Sequence, residues 1–554
     1  MARNLKTVMC VVLVLLLLVG CAPTSPSNTD AEKMKALEQR LSQYASITPD
    51  LDDNYRVWYE IFVYSFCDSN GDGIGDFKGA TSKLDYLADL GINGIWLMPI
   101  HPSSSYHKYN VDDYYAIDPS YGTMADFEEF LAECEKRDIK VIIDLVVNHS
   151  GNNNPWFVTA TEYLQNLLLG DFANPEECPE LEYYNFKLAS EVTGSGYNRV
   201  AGTMYSYECQ FSHDMPDLNL DNPTLREEIA KIMKFWLDKG VGGFRVDAAK
   251  EFYTSDIPKN VEFMSWMQQT VTSIKSDAYL VAEVWDDYTT IVRYYESDFT
   301  SIFNYPFGNY SGKLTKVVNS RGTASVIQTW ATALETADKA YAANNPDYID
   351  APFLSNHDVG RIHGFVNGDP QRIKMAGAMN LMMSGSAFIM YGEEIGMAGP
   401  EGLQEEHHPT IRCPMYWSAN NTSGTTTPPP AGLIPDHTCG SVEDQLNDPN
   451  SIYNFYRELI AIRKAYPVIS HGSITAETAL NKGCVSAIRK TWNNESCIIL
   501  LNIDDDTAGA EVDLSAYAGW TVAASLSADG EFATQEGSTL KIPAYGIVVL
   551  LPNS

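Results

Sequence analysis

Positive charge is scarce in this chain. Its 554 residues carry 38 Lys and Arg against 72 Asp and Glu, a formal net charge of −34. A nucleic-acid surface needs clustered Lys and Arg to meet phosphates, so the balance argues against that partner. It suits a neutral or cationic ligand and carries no information on fold. Cysteine is sparse as well, ten in all, and no C-x-x-C pair of the zinc-binding type is present. Cys10 and Cys21 stand near the N-terminus; the remaining eight form an even set compatible with disulfides in an exported protein. Cys178 with Cys209 and Cys484 with Cys497 are candidate pairs, and buried free thiols are the alternative. The apolar run 8–19, preceded by Arg3 and Lys6, is too short to span a bilayer comfortably and reads as a signal peptide. No internal repeat is visible. Ordinary apolar content, 45%, excludes a disordered chain, and the length implies two or three domains.

The leader ends Leu18-Val19-Gly20-Cys21, which resembles a bacterial lipoprotein processing site. That resemblance implies removal of residues 1–20 and lipid on Cys21; an ordinary signal peptide cut nearby is the alternative. Residues 21–50, rich in Ser, Thr, Pro and charge, then read as a tether. The expectation is an exported lipoprotein on a bacterial membrane surface, held there without a spanning helix, and monomeric.

From residue 51 short apolar runs alternate with helical patterns. Runs at 57–64, 95–99, 141–147, 243–246, 279–284, 301–303, 353–355 and 387–391 are candidate strands, with helix-like segments such as 126–136, 222–239 and 371–383 between several of them. Continuous apolar strands separated by helices indicate a parallel sheet covered on both faces, and eight such units an α/β fold, the (β/α)8 TIM barrel. The barrel is assigned to 51–147 and 215–467. Residues 148–214 are too many for a βα loop and read as a small inserted domain. From 468 to 554 short alternating strands without helices indicate an antiparallel β-sandwich domain.

Four candidate strands end in polar residues: Asn148-His149, Arg245 and Asp247, Glu283 before Trp285, and Asn356-His357-Asp358. Burying such groups is costly without partners, and the C-terminal strand ends of a barrel converge on one cleft. Arg245 and Asp247 share a strand face by the two-residue period, so the guanidinium should favour an ionised Asp247. A structural ion pair capping a strand is the other reading of that segment. Glu283 and Trp285 also share a face, and the ring would help keep the glutamate protonated. Two acids with opposed protonation preferences are what glycoside hydrolysis requires.

Segments 144–149, 243–250, 282–285 and 353–358, in this order and spacing, resemble the four signature regions of the α-amylase family of retaining glycoside hydrolases (family 13). The likeness covers about 55–554. It implies Asp247 as nucleophile, Glu283 as general acid/base and Asp358 as transition-state stabiliser, with Arg245, His149 and His357 binding the sugar at the cleavage point. Tyr109 is similar to the family's stacking tyrosine, although Lys108 stands where the family more often has Gly. Lys250 resembles the α-amylase lysine that contacts sugar beyond the cleavage point. The implied retaining mechanism sets the two carboxyl groups about 5–5.5 Å apart.

Asp68-Ser69-Asn70-Gly71-Asp72-Gly73-Ile74-Gly75-Asp76 places oxygen donors at alternate positions with glycines between. Asp68, Asn70, Asp72, the Ile74 carbonyl and Asp76 form a candidate Ca²⁺ loop, and a metal-free turn is the alternative. Asn148 and Asp217 correspond to a second calcium site of the family. The loop at 68–76 and Arg412-Cys413-Pro414-Met415-Tyr416-Trp417 resemble oligo-1,6-glucosidases, while Met215-Pro216-Asp217-Leu218-Asn219 resembles the subgroup between these and the α-amylases and neopullulanases. The expected activity is hydrolysis of α-1,4 bonds in starch or maltooligosaccharides. An exo-acting α-glucosidase or oligo-1,6-glucosidase is the alternative, and a non-catalytic glycan-binding lipoprotein the remote one.

Overall fold

The computed structural model describes residues 28–51, 53–168, 171–320, 322–400 and 405–553; the leader and Cys21 lie outside them. Seven parallel strands form one sheet: β1 (Val57–Ile61), β2 (Gly94–Leu97), β3 (Lys140–Leu145), β4 (Gly243–Val246), β5 (Tyr279–Ala282), β6 (Ser301–Ile302) and β7 (Ala387–Met390). The sheet order is β7-β1-β2-β3-β4-β5-β6. Two parallel bridges, Phe303 to Ala351 and Phe353 to Phe388, carry a short segment between β6 and β7 and close the ring. The chain is thus a TIM barrel whose seventh staff, expected at 353–355, is reduced to bridges at 351–353.

Every residue of β1, β2, β4, β5 and β7 is buried, as a sheet covered on both faces requires. Gly243 shows how tightly the staves approach. At φ +146°, a Cβ there would lie 1.9 Å from the Tyr279 carbonyl oxygen, so no other residue fits. The outer helices form because apolar side chains recur every three or four residues. The helix Pro223–Asp238, capped by Asn222 accepting from the Leu225 N–H, buries Leu225, Ile229, Ile232, Met233 and Trp236.

Between β3 and β4 lie a helix, Pro155–Asn166, and a three-stranded antiparallel sheet of Phe186–Leu188, Tyr205–Glu208 and Tyr197–Arg199. After the barrel come two antiparallel sheets, of five and three strands. Leu500, Leu540, Ile542 and Val548 belong to a second, separate core in this C-terminal β domain.

Two expectations are corrected. Residues 28–47, expected within a tether, form a helix, α1 (Asn28–Ile47), with Leu37 and Tyr44 buried. Arg40 pairs with Glu458, and Arg457 with Glu38, on the barrel helix Ile452–Ala465. The segment's Leu and Tyr at helical spacing were outweighed by its polar composition. The candidate disulfides are also absent: Cys178, Cys209, Cys484 and Cys497 are all free thiols. Strand register explains the second pair. Lys490 sits opposite Cys497, whereas Cys484 precedes Val485, which faces Asn502. The Cys484 thiol instead donates to the Gly322 carbonyl at 3.1 Å. Among the described residues no helix is long and apolar enough to cross a membrane.

Candidate active site

The C-terminal ends of the staves open into a cleft of about 650 Å³, lined among others by Tyr109, His149, Asp247, Lys250, Glu283 and Asp358. That volume is in the range of small-molecule sites. Lys250, Trp285 and Glu251 line it beside the acids; Phe211 and Met215, from the segment that leads back to the barrel, also contribute.

Arg245 is the centre of the arrangement. Strand register sets Asp144 beside it, and the two-residue period sets Asp247 on the same face. One guanidinium nitrogen bonds Asp144 and lies 2.6 Å from Asp247 Oδ1; the other lies 2.8 Å from Glu283 Oε2. The side chain is 1% exposed. One buried cation therefore holds two cleft carboxylates next to each other from behind, with Trp96 and Tyr109 rings packed against it at 5.2 and 5.9 Å. Immediately after Asp247 the backbone turns through the left-handed region at Ala248, φ 47°. The turn aims the Ala248 N–H at Glu283 Oε2, 3.0 Å away, while the Tyr305 hydroxyl donates to Oε1 at 3.3 Å. Backbone strain of this kind is kept where the surroundings impose it, and here it orients an acid.

The sequence-based expectation that Arg245 keeps Asp247 ionised needs correction. Burial dominates and pushes Asp247 up to about 8, Arg245 pulling it down and Glu283 and Asp144 pushing it up again. One guanidinium shared among three acids cannot offset all three charges in a dry site. Groups this close titrate together rather than one at a time.

Asp358 is placed by a second network. The Asn356 side chain accepts from the Asp358 and Val359 N–H groups, both at 2.9 Å, and so turns the chain after the short seventh staff. Arg412 Nη2 lies 2.6 Å from Asp358 Oδ1 and His357 Nε2 lies 3.1 Å from Oδ2. Burial would raise this carboxyl, but His357 and Arg412 together hold it well below the usual carboxylate range. His357 is itself clamped, its Nδ1 2.6 Å from Glu60 and its Nε2 2.7 Å from the Tyr109 hydroxyl. Burial disfavours the imidazolium, yet Asp358 and Glu60 outweigh it and bring its pKa to about 9.

The sign of the pH effect follows. A His raised from 6.5 to about 9 contributes stability that is complete below about pH 6.5 and lost as pH rises through 9. Thermal scans from pH 6 to 10 should show Tm falling across this window, with a shallower fall in His357→Gln. An equal slope in the two proteins would remove His357 as the cause.

His149 lines the cleft with Nε2 unpartnered among the described residues, and burial lowers its pKa to about 4, leaving a neutral ring. Lys250 reaches Asp286 at 3.0 Å and the Trp285 carbonyl at 3.3 Å, with 38% of its side chain exposed to the cleft. Tyr109 stacks on His357, centroids 5.5 Å apart. Arg245 and His357 lie behind the lining, so they brace the acids rather than wall the cleft.

Glu60, Asp144, Tyr305 and Arg412 are participants that sequence reasoning missed. For Glu60 and Asp144 a signal existed: each is a lone acid inside an otherwise apolar strand run, where it must find a buried partner. Arg412 comes from a segment 54 residues beyond Asp358, and nothing local in it announces the contact.

The loop 68–76 is wound on its own amides. Asp68 Oδ1 accepts from Asn70 and Gly71 and its Oδ2 from Gly73; Asn70 accepts from Asp72, Asp72 from Ile74, and Asp76 from Ser69 and Gly79. Among the described residues no group of three or more His, Cys, Asp or Glu side chains converges as a metal site. The donors are nonetheless all oxygen, the chemistry a hard cation takes. At the second candidate site Asp217 is buried, its Oδ1 has no hydrogen-bond partner among the described residues, and burial raises its pKa to about 7.

A closed parallel barrel whose strand ends present paired acids, with an anionic third carboxylate facing them, defines a barrel glycosidase. The alpha-amylase catalytic domain matches residues 60–472. The chain therefore belongs to the α-amylase family, family 13 of the glycoside hydrolases, and is an enzyme of that class. Alpha-amylase 3 of Dictyoglomus thermophilum is 40% identical over 454 residues, 81% of this chain and 84% of that protein. A glucan 1,6-alpha-glucosidase of Streptococcus pneumoniae is 32% identical over 470 residues, 74% and 83% of the two chains. The solved structure of Eubacterium rectale Amy13B superposes with TM-score 0.87 at 40% identity, covering 94% of this chain and 99% of that one.

Proposed function

We propose that this enzyme hydrolyses α-1,4-glucosidic bonds of starch and maltooligosaccharides with retention of anomeric configuration. The observation that carries the reading is Arg245 bridging Asp247 and Glu283 at the cleft floor, which sets nucleophile and acid side by side. In its ionised form, the form that Arg245 favours, Asp247 attacks the anomeric carbon while Glu283 protonates the departing oxygen. Water then attacks the glycosyl-enzyme, Glu283 takes its proton, and Asp247 leaves. Asp358, kept anionic by Arg412 and His357, stabilises the positive charge that develops on the sugar. The 40% identity to Alpha-amylase 3 of Dictyoglomus thermophilum supports the α-amylase reading.

The second reading, an exo-acting or α-1,6-cleaving glucosidase, is favoured by the 32% identical glucan 1,6-alpha-glucosidase. Product analysis over time on soluble starch, maltoheptaose and isomaltotriose separates the two. Mixed oligosaccharides from starch, with isomaltotriose untouched, support the first; glucose alone from the short substrates supports the second. Initial products of β configuration would overturn retention.

We also propose export, with lipid on Cys21 holding the enzyme at a membrane surface, and Ca²⁺ held by Asp68, Asn70, Asp72, the Ile74 carbonyl and Asp76. The cation would neutralise three acids in nine residues and brace the loop after β1. A ligand present at about a hundred times its Kd stabilises by about 2.7 kcal/mol, so EDTA should lower Tm and added Ca²⁺ restore it. An unchanged Tm in EDTA would remove the metal.

A further inference from the structure

Lys108, next to the cleft tyrosine, combines two unfavourable features. Its backbone lies in the left-handed region at φ 64°, where a residue with a Cβ is strained by about 1–2 kcal/mol and glycine is not. Its ammonium is also buried, a cost that only a well-placed partner offsets. That partner is Asp118: Nζ donates to Oδ2 at 2.6 Å, the two side chains are 7% and 9% exposed, and the Tyr121 ring lies 4.9 Å from Nζ. Asp118 is held in turn, its Oδ1 accepting from the Ser120 N–H and hydroxyl and its own N–H donating to the Ile100 carbonyl. The anchor therefore belongs to the chain that leaves β2.

Around Lys108 the loop bonds itself. Its N–H donates to Ser105 Oγ at 3.1 Å and the Tyr109 N–H donates to His107 Nδ1 at 3.2 Å. Beyond it, the Tyr109 hydroxyl reaches His357 Nε2 at 2.7 Å and Asp144 at 3.3 Å. His357 pairs with Asp358, and Asp144 shares the Arg245 guanidinium with Asp247 and Glu283. The side chain of Lys108 is thus the tie between a fixed point on the barrel and the residue that joins the two active-site networks.

We infer that Lys108 is a positioning residue for the reaction. Its buried ion pair with Asp118 sets the loop so that Tyr109 keeps its hydroxyl on His357 and its ring in the cleft wall at the cleavage point. This rests on the reading that Tyr109 faces the sugar there. A purely structural role would lower stability and leave the chemistry of the folded enzyme alone.

Kinetics of the full chain on maltoheptaose decide between these, with Tm measured alongside. Lys108→Met should lower kcat/KM by about 10- to 100-fold, the cost of a displaced contact group. Lys108→Gly, which removes both the strain and the ammonium, should lose as much, showing that the ion pair and not the backbone matters. Lys108→Arg, which keeps the charge, should recover part of the loss. In a Tyr109→Ala background Lys108→Met should change kcat/KM by no more than about twofold, because the two act through one contact. A folded Lys108→Met with lowered Tm and wild-type kcat/KM overturns the proposal, as do losses that multiply in the double variant. If Lys108→Met does not fold, Lys108→Arg in both backgrounds gives the same comparison. Full activity of Tyr109→Ala would remove the reading of Tyr109, and this proposal with it.

Discussion

Asp247→Asn is expected to lower kcat on maltoheptaose by on the order of 10⁴- to 10⁶-fold, the scale of losing a nucleophile from a catalytic unit. The amide keeps the shape and still accepts from Arg245, so folding should survive and the loss should be chemical. Glu283→Gln should cost about 10²- to 10⁴-fold, because proton transfer alone is removed. The two roles are separable with azide and an activated donor such as maltosyl fluoride. In Asp247→Ala, azide takes the place of the carboxylate and yields a glycosyl azide of inverted configuration. In Glu283→Ala, azide instead attacks the glycosyl-enzyme and the product retains configuration. Retained product from both variants, or activity of Asp247→Asn within tenfold of wild type, would require a different nucleophile.

The largest effect on stability is expected at Arg40→Ala. Glu458 is 2% exposed on the barrel helix and receives both arms of the Arg40 guanidinium, one of them at 2.8 Å. Removing one partner of a buried pair leaves an uncompensated charge, typically about 3–5 kcal/mol. Arg40 keeps 27% of its side chain exposed, so water reaches part of the site and a loss of about 2–3 kcal/mol is expected. Arg40 also packs 4.8 Å over the Phe532 ring of the C-terminal domain, so its removal loosens the junction of α1, barrel and β domain together. Urea unfolding of the full chain measures this. The double variant Arg40→Ala with Glu458→Gln should be less damaged than Arg40→Ala alone, since the orphaned charge is gone. Equal stability of Arg40→Ala and wild type would mean that α1 is only loosely associated.

The barrel and its polar strand ends were legible because the physics that writes them is local. A strand buried on both faces must be a continuous apolar run, so an acid or histidine at its end stands out. The two-residue period alone places Arg245 and Asp247 on one face. The same logic located Glu283 and Asp358, and the order and spacing of the four segments resemble the family to which the domain match assigns the chain. The helical spacing of Leu37 and Tyr44 was there to read, but composition pointed the other way, since a partly polar helix forms only when another surface takes its apolar stripe.

What the sequence by itself determined is the class of fold, the three carboxylates and the cleft they share, because strand period and strand ends are properties of neighbouring residues. Only the tertiary structure decided how those acids are held. Arg412 meets Asp358 across 54 residues, Glu60 meets His357 across 297, and Lys108 meets Asp118 through a loop that folds back on itself. It also decided that Asp247 shares its cation with Asp144 and Glu283, and that Cys484 and Cys497 stay apart. The physical reason is common to all of these. Burial and pairing are set by what the closed barrel brings together from distant segments, and a charge's protonation follows its surroundings, not its position in the chain.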